Sequence, residues 1–368
     1  MKLPVTGMAW TTPLGEDLPE VWGRLLAGHT GMGQVPHTAR LRNSLAAVVP
    51  CVPLDSPPAV RLLQMAHSSA RRALISAHQD PADLDLRLIV GTSLGAYLED
   101  VSQRGSLSAW ANELGHRLGV VSRPIVVSTA CSSGSDAILL GAEMIRSGKA
   151  RCCLCGGADV LTLSKRLAHS ALGTMSPTML RAFDVRRDGT LLGEGAAFVV
   201  LHAEDESREP LALLRGVGSA NDATGMTLPD ADGLGGRLAI ERSLSDAELQ
   251  PAAIGLINAH GSGTPLNDTS ERATFSAVFQ GASRPLVFAT KGNFGHSLGA
   301  TGAIEAVSLI QALRSGTVPP IFGLEQPDPD FHLPLAYPVE TSCDARIGLS
   351  LTLGFGGFDT SLIFELPL

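Results

Sequence analysis

The stretch Val126–Gly148, "VVSTACSSGSDAILLGAEMIRSG", begins as an apolar strand, passes through small residues around Cys131 and continues with helical periodicity. It reads as a strand feeding a helix through a tight turn, with a cysteine at the junction. A helix N-terminus favours thiolate through its free N–H groups and macrodipole, and Ala130, Ser132, Ser133 and Gly134 leave room for a substrate to approach the backbone. Two readings stay open from this stretch alone: a nucleophilic thiol, or a small buried side chain in a structural turn.

An internal repeat extends outward from it. Residues 131–148 align without gaps on residues 299–316, "GATGAIEAVSLIQALRSG", which places Gly134 on Gly302 and "RSG" on "RSG". The same offset of 168 carries residues 86–100, "LRLIVGTSLGAYLED", onto residues 254–268, "IGLINAHGSGTPLND". A shared offset argues for a duplicated unit. Strands are expected at "LRLIVGTS", "PIVVSTA", "RCCLCGGA", "AAFVVLHA", "AAIGLINAHG" and "PLVFAT", with helices at "AVRLLQMAHSSARRALISAH", "SDAILLGAEMIRSG" and "GAIEAVSLIQALRSG". This alternation predicts α/β layers with largely parallel strands. Two such halves back to back bring equivalent strand-to-helix loops to a pseudo-twofold axis, beyond the carboxyl ends of the strands where ligands gather.

Composition limits the chemistry. A chain of 368 residues with 44% hydrophobic and 17% charged residues is a compact globular protein of two units rather than a disordered one. Lys and Arg total 28 against 36 Asp and Glu, with no basic run, which argues against nucleic acid as a partner. The opening "MKLPVTGMAW" has no apolar core of signal-peptide length and no apolar run is long enough to span a bilayer, so the expectation is a cytoplasmic protein without membrane insertion. Cys152, Cys153 and Cys155 fall on one expected strand, pointing to alternate faces with no His nearby, which favours a buried strand over a metal site.

Two further turns bear on Cys131. "NAHGSGTP" puts His260 at a strand end in a glycine-rich turn, and "ATKGNFGHSLGATG" puts Lys291 and His296 in another, just before a helix. Neutral imidazole N–H donors suit an oxygen on which negative charge develops during a reaction. A cysteine supplies the leaving group on which an acyl chain can wait.

These motifs resemble those of the β-ketoacyl-acyl carrier protein synthases of the thiolase superfamily, with "TACSSG" as the nucleophile motif, "NAHGSGTP" and "TKGNFGHSLGATGAIEA" as the His and Lys motifs, and "GFGGFD" as the gating loop. "RAFDVRRDGTLLGEGAAFVVL" is similar as well, and the likeness runs through nearly the whole chain. The resemblance implies a thiolase-like α/β fold, a duplicated αβαβα five-layered sandwich with pseudo-twofold symmetry, divided here into residues 1–205 and 206–368. It implies decarboxylative Claisen condensation of an acyl thioester with malonyl-acyl carrier protein, in fatty acid or in specialised polyketide or polyene synthesis. Cys131 would carry the acyl group, with its own N–H and that of Phe355, flanked by Gly354 and Gly356, forming the oxyanion hole and gate. His260 and His296 would hold the enolate, Lys291 and Glu305 would support them, and Ser262 and Thr264 would bind the pantetheine arm. No metal and no free cofactor is implied, since phosphopantetheine arrives on the carrier protein. A homodimer, or a heterodimer with a related subunit, is expected.

The chain departs from the family pattern at Phe358 and Asp359, where Thr and Asn are usual, at Gly263, where Ser is common, and in shortened segments at 95–123 and 175–183. Alternatives are a mainly structural subunit of a heterodimer, and an α/β-hydrolase using Ser93 of the G-x-S-x-G at Gly91–Gly95. A degradative thiolase would carry a second cysteine near the C-terminus, and Cys343 lies in a different context. For an acidic carrier, Lys165, Arg166, Arg186 and Arg187 are the candidate basic contacts.

Overall fold

The computed structural model describes residues 1–37, 39–99, 106–203, 209–281 and 284–368. The expected boundary at 205/206 and the residues 100–105 of the shortened segment lie outside the described residues.

The first half runs β1 (Leu3–Thr11), α1 (Leu18–Leu26), a ribbon of β2 (Met32–Gln34) and β3 (Leu45–Ala47), α2 (Pro58–Ser76), β4 (Leu86–Gly91) and α3 (Ala109–Leu118). It continues with β5 (Ile125–Val127), α4 (Ser133–Arg146), β6 (Cys152–Asp159), α5 (Leu163–Ala171) and β7 (Gly195–His202). The second half runs β8 (Ala212–Asn221), α6 (Leu234–Ala247), β9 (Leu256–Asn258), α7 (Pro265–Val278), β10 (Leu286–Phe288), α8 (Lys291–Phe294) and α9 (Thr301–Ser315). A ribbon of β11 (Thr317–Val318) and β12 (Thr341–Ser342) precedes β13 (Ile347–Gly354) and β14 (Phe358–Glu365).

Each half arranges five strands in one order. The first gives β5-β4-β6-β7-β1 and the second β10-β9-β13-β14-β8, so in both the third strand of the half is outermost and the first innermost. The two meet where β1 pairs antiparallel with β8, Leu3 opposite Leu214. Helices α2 and α3 cover the outside of the first half, α6 and α7 that of the second, and α4 and α9 lie between the sheets, which is the five-layered thiolase-like architecture.

The strands are less parallel than the alternation predicts. β5-β4-β6 and β10-β9-β13 are parallel, but β7, β1, β14 and β8 all pair antiparallel. β13 and β14 show why: only residues 355–357 separate them, and a link that short closes an antiparallel hairpin while a parallel pair needs a crossover.

The repeat is visible in the backbone. A shift of 168 carries Ala130 onto Leu298; both adopt left-handed φ, +52° and +50°, a conformation uncommon outside glycine. Each opens a short 3₁₀ turn, Ala130–Ser132 and Leu298–Ala300, that leads into a central helix. Helix α9 is buried on nearly every side, as expected of a helix apolar all round. Helix α4 packs its Gly141 against Cys155 on β6, where a Cβ would lie 2.2 Å from the sulfur. Cys152, Cys153 and Cys155 are buried strand residues.

The central helices cross at their first turns. A Cβ on Gly134 would lie 2.9 Å from the Ala303 nitrogen and 3.0 Å from the Gly299 oxygen, and one on Gly302 would strike the Ser135 hydroxyl. Backbone atoms cannot swing aside as side chains do, so Gly134→Ala is expected to lose about 1–3 kcal/mol, read as a lowered denaturant midpoint with unchanged slope.

Candidate active site

Because the two crossing helices carry equivalent turns at their N-termini, their leading residues converge. Cys131 sits in the turn before α4, and His296 comes two residues before the matching turn of α9. His260 follows β9, and Phe355 lies in the β13–β14 turn. Cys131, His260, His296, Phe355, Ser262 and Thr264 all line one cavity of about 310 Å³, with Gly354 and Gly356. Lys291 and Glu305 stand behind the histidines and are buried.

Their hydrogen bonds define the proton positions. The Leu298 N–H points at His296 Nδ1 at 3.2 Å, so Nδ1 accepts and Nε2 carries the proton. The Lys291 ammonium lies 3.2 Å from His260 Nδ1 and makes the same choice there. Burial, reinforced by the Lys291 charge, holds both rings well below the ordinary imidazole range. The two neutral rings stand edge to face, 5.3 Å apart. Lys291 also bonds the His260 carbonyl and is ion-paired with Glu305, whose carboxyl burial pushes up to about 7 while Lys291 pulls it down.

The sequence offered no signal for a second clamp, Glu271. Its two oxygens accept the backbone N–H groups of His260 and Gly261, each at 2.7 Å, and fix the turn that carries His260. Gly263, where the family pattern has Ser, sits at φ +75° beside the Gly189 carbonyl, a place suited to glycine. The Ser262 and Thr264 hydroxyls lie 3.0 Å apart, and Thr264 caps α7.

Cys131 differs from the simple helix-end expectation. Burial pushes its thiol up to about 11, and the Phe355 N–H on the sulfur and the Lys291 charge only partly offset this. The resting residue is therefore a thiol. Phe355 is placed by close packing, since Gly354 presses on the nucleophile turn, its ideal Cβ position 3.2 Å from the Thr129 oxygen.

Ser93 belongs to another arrangement. Its hydroxyl donates to Asp159 at 2.5 Å, in a cluster that also holds the buried Lys165, and it does not line the cavity. The glycines of its G-x-S-x-G serve packing: a Cβ on Gly91 would lie 2.2 Å from the Ser133 oxygen. Among the described residues no group of three or more His, Cys, Asp or Glu is arranged to hold a metal ion.

Among the cavity residues that the sequence did not single out for this role are His169 of α5 and Asp222. Asp222 faces Asp359, whose buried carboxyl is pushed up to about 8 by desolvation and by Asp222, Asp136 and Asp230, against the pull of the Gly354 N–H. A protonated Asp359 takes the place of the amide usual there. Because the folded chain keeps this proton after the unfolded chain has released it, stability falls as pH rises from the ordinary carboxylate range to about 8. Asp359→Asn is expected to remove that fall: in thermal melts its advantage over the parent should grow to several degrees by about pH 8.5. Parallel pH curves would show an ordinary carboxyl.

Residues 58–207 match the β-ketoacyl synthase N-terminal domain and residues 211–325 its C-terminal domain. The chain is 29% identical over 400 residues to nodulation protein E of Rhizobium meliloti, covering 99% of both chains. It is 30% identical over 406 residues to 3-oxoacyl-[acyl-carrier-protein] synthase 2 of Synechocystis sp., covering 99% of this chain and 98% of that one. The solved structure of the ishigamide ketosynthase/chain length factor superposes with a TM-score of 0.89 at 29% identity, covering 100% of this chain and 99% of the other.

Proposed function

The chain belongs to the β-ketoacyl synthase family, and from that membership we propose that it is a 3-oxoacyl-[acyl-carrier-protein] synthase, an acyltransferase condensing an acyl thioester with malonyl-acyl carrier protein in fatty acid or polyketide assembly. The observation that carries this reading is the convergence of a buried thiol and two neutral Nε2–H imidazoles on one cavity.

Cys131 Sγ attacks the acyl carbonyl, and the oxyanion is held by the N–H groups of Cys131 and Phe355. The intermediate expels the pantetheine sulfur, which takes up the proton that Cys131 gives up. Malonyl thioester then enters with its carbonyl oxygen between His260 Nε2–H and His296 Nε2–H. The bond to the carboxylate breaks, carbon dioxide leaves, and its electron pair becomes the enolate. The enolate carbon attacks the Cys131 thioester, and the sulfur departs as thiolate and takes up a proton from solvent, the one proton the condensation consumes. Lys291 keeps His260 oriented and uncharged, so that both rings donate. Ser262 and Thr264 hydrogen-bond the pantetheine arm, the only prosthetic group the reaction needs, brought by the carrier.

Six cysteines, all free, suit a reducing cytoplasm, and no helix among the described residues is long and apolar enough to cross a membrane. The open edge of the first sheet is β5, whose Ile125, Val126 and Val127 are half-buried. That edge, with its unpaired strand groups, is where a second copy or a related subunit would pair.

Cys131→Ala should abolish acyl loading, seen by intact mass, yet keep malonyl decarboxylation. His260→Ala should load normally and lose decarboxylation by roughly 10²–10³. Loading on Ser93 instead would overturn the reading.

The four candidate basic contacts for the carrier are already engaged within the chain. Lys165 and Arg166 are buried, Arg186 is paired with Asp184 and Glu325, and Arg187 with Asp328. No Lys or Arg lines the cavity among the described residues, whereas Asp188 and Asp222 do. The KM for carrier-bound substrate should therefore change less than about threefold between low and physiological salt, where screening of exposed charges is strong. A steep rise would point to a basic contact elsewhere.

A further inference from the structure

Lys291 places the proton on His260. On His296 the corresponding nitrogen, Nδ1, is met instead by two neutral donors from the turn that follows it. One is the Leu298 N–H at 3.2 Å. The other is the hydroxyl of Thr301, the first residue of α9, at 3.0 Å. Because Nδ1 already accepts from a backbone N–H and carries no proton of its own, the Thr301 O–H is the donor in this second contact. Both side chains are buried, and the Thr301 hydroxyl makes no other hydrogen bond among the described residues.

The turn between the two residues is fixed at each step. Leu298 takes its left-handed φ, Gly299 N–H donates to the buried Asp159 carboxylate at 3.0 Å, and Ala300 N–H returns to the Ser297 carbonyl at 3.0 Å. The duplication supplies an independent parallel. The shift of 168 carries Ser133, the first residue of α4, onto Thr301. The Ser133 hydroxyl also folds back on the turn before its helix, accepting the Thr129 N–H at 2.9 Å and donating to the Ala130 carbonyl at 2.6 Å. In both halves the leading hydroxyl of a central helix ties down the residues that precede it, and in the second half its target is an imidazole. Ser297, the other buried hydroxyl of that turn, has no hydrogen-bond partner among the described residues and takes no part in the clamp.

Resting on the reading of His296 as a donor to the enolate oxygen, we infer that Thr301 is a positioning residue for the decarboxylation: its hydroxyl, donating to Nδ1, holds the His296 ring so that Nε2–H stays aimed at the malonyl carbonyl oxygen. The orientation of an imidazole is set by the bond its other nitrogen makes. Without the hydroxyl the ring keeps only the longer contact from Leu298 and turns more freely, so Nε2–H is less often in line with the developing charge. A donor on Nδ1 also polarises the ring and strengthens Nε2–H as a donor. Thr301 does not line the cavity, so it acts through His296 alone.

The test is steady-state decarboxylation of malonyl-carrier protein, with acyl loading of Cys131 followed in parallel by intact mass, on the full-length parent, Thr301→Val, Thr301→Ala, Thr301→Ser and Ser297→Ala. Thr301→Val keeps the shape and removes the donor. Its kcat should fall roughly 3–10-fold, the worth of one neutral hydrogen bond, with KM for the malonyl substrate and acyl loading unchanged, because an interaction that strengthens in the transition state shows itself in kcat. Thr301→Ala should lose kcat in the same way, which keeps the test open if valine packs poorly. Thr301→Ser returns the hydroxyl and should recover the parental kcat, and Ser297→Ala, which loses an unbonded hydroxyl from the same turn, should match the parent. The role of Thr301 alone is overturned by an unchanged kcat in the valine and alanine variants, by a serine variant as slow as the valine one, by an equal loss in Ser297→Ala, or by a loss of loading that matches the loss of decarboxylation. If the parent itself releases no carbon dioxide from malonyl-carrier protein, the catalytic reading falls and this inference with it.

Discussion

The site depends on the close crossing of α4 and α9. Their first turns meet at Gly134 and Gly302, with no room for a Cβ on either side, and the contact puts two helix N-termini into one small volume. The turn before α4 carries Cys131, and His296 comes two residues before the turn that leads into α9. The left-handed Ala130 and Leu298 are part of the same constraint, since each chain must reverse sharply to leave its strand and enter its helix. Strained backbone of this kind persists where surrounding structure holds it in place.

Electrostatics then set the character of the site. Burial keeps Cys131 protonated and both histidines neutral, while the one ammonium among them, Lys291, is satisfied by Glu305 and the His260 carbonyl. A buried ion pair is weak evidence for stability. Here its geometry has a clearer consequence, which is the proton placement on His260. Uncharged donors can gain strength as charge appears on a substrate oxygen, since they hold no counter-charge to be displaced beforehand.

Much of this was legible in the residues. The gap-free offset of 168 announced the duplication, and the structure repeats even the φ angle of one residue at that spacing. The glycine-rich turns flagged His260, Lys291 and His296, and the apolar strand before Cys131 marked it as the candidate nucleophile. Less legible were β1, β8 and the β13–β14 hairpin, none of which was expected as a strand, although with β7 they make up the antiparallel part of the two halves. β1, β13 and β14 are buried along nearly their whole length, so they lack the alternation that marks a half-exposed strand, while β8 alternates at its ends but is interrupted by Gly216 and Gly218, which weaken a strand signal.

By itself the sequence determined the candidate catalytic residue types, their glycine-rich settings and the twofold repeat, because these are encoded locally within a few residues of each motif. Only tertiary structure decided which charges are available. Lys165 and Arg166 sit on an amphipathic helix that sequence reading would leave in solvent, yet packing against Asp159 and the carbonyls of the first half buries both. His169, on the same helix, carries no motif at all. It enters the site because α5 closes over a hairpin turn nearly two hundred residues away in sequence, and a contact between such distant segments is set by how the layers pack, which no short stretch of chain can specify.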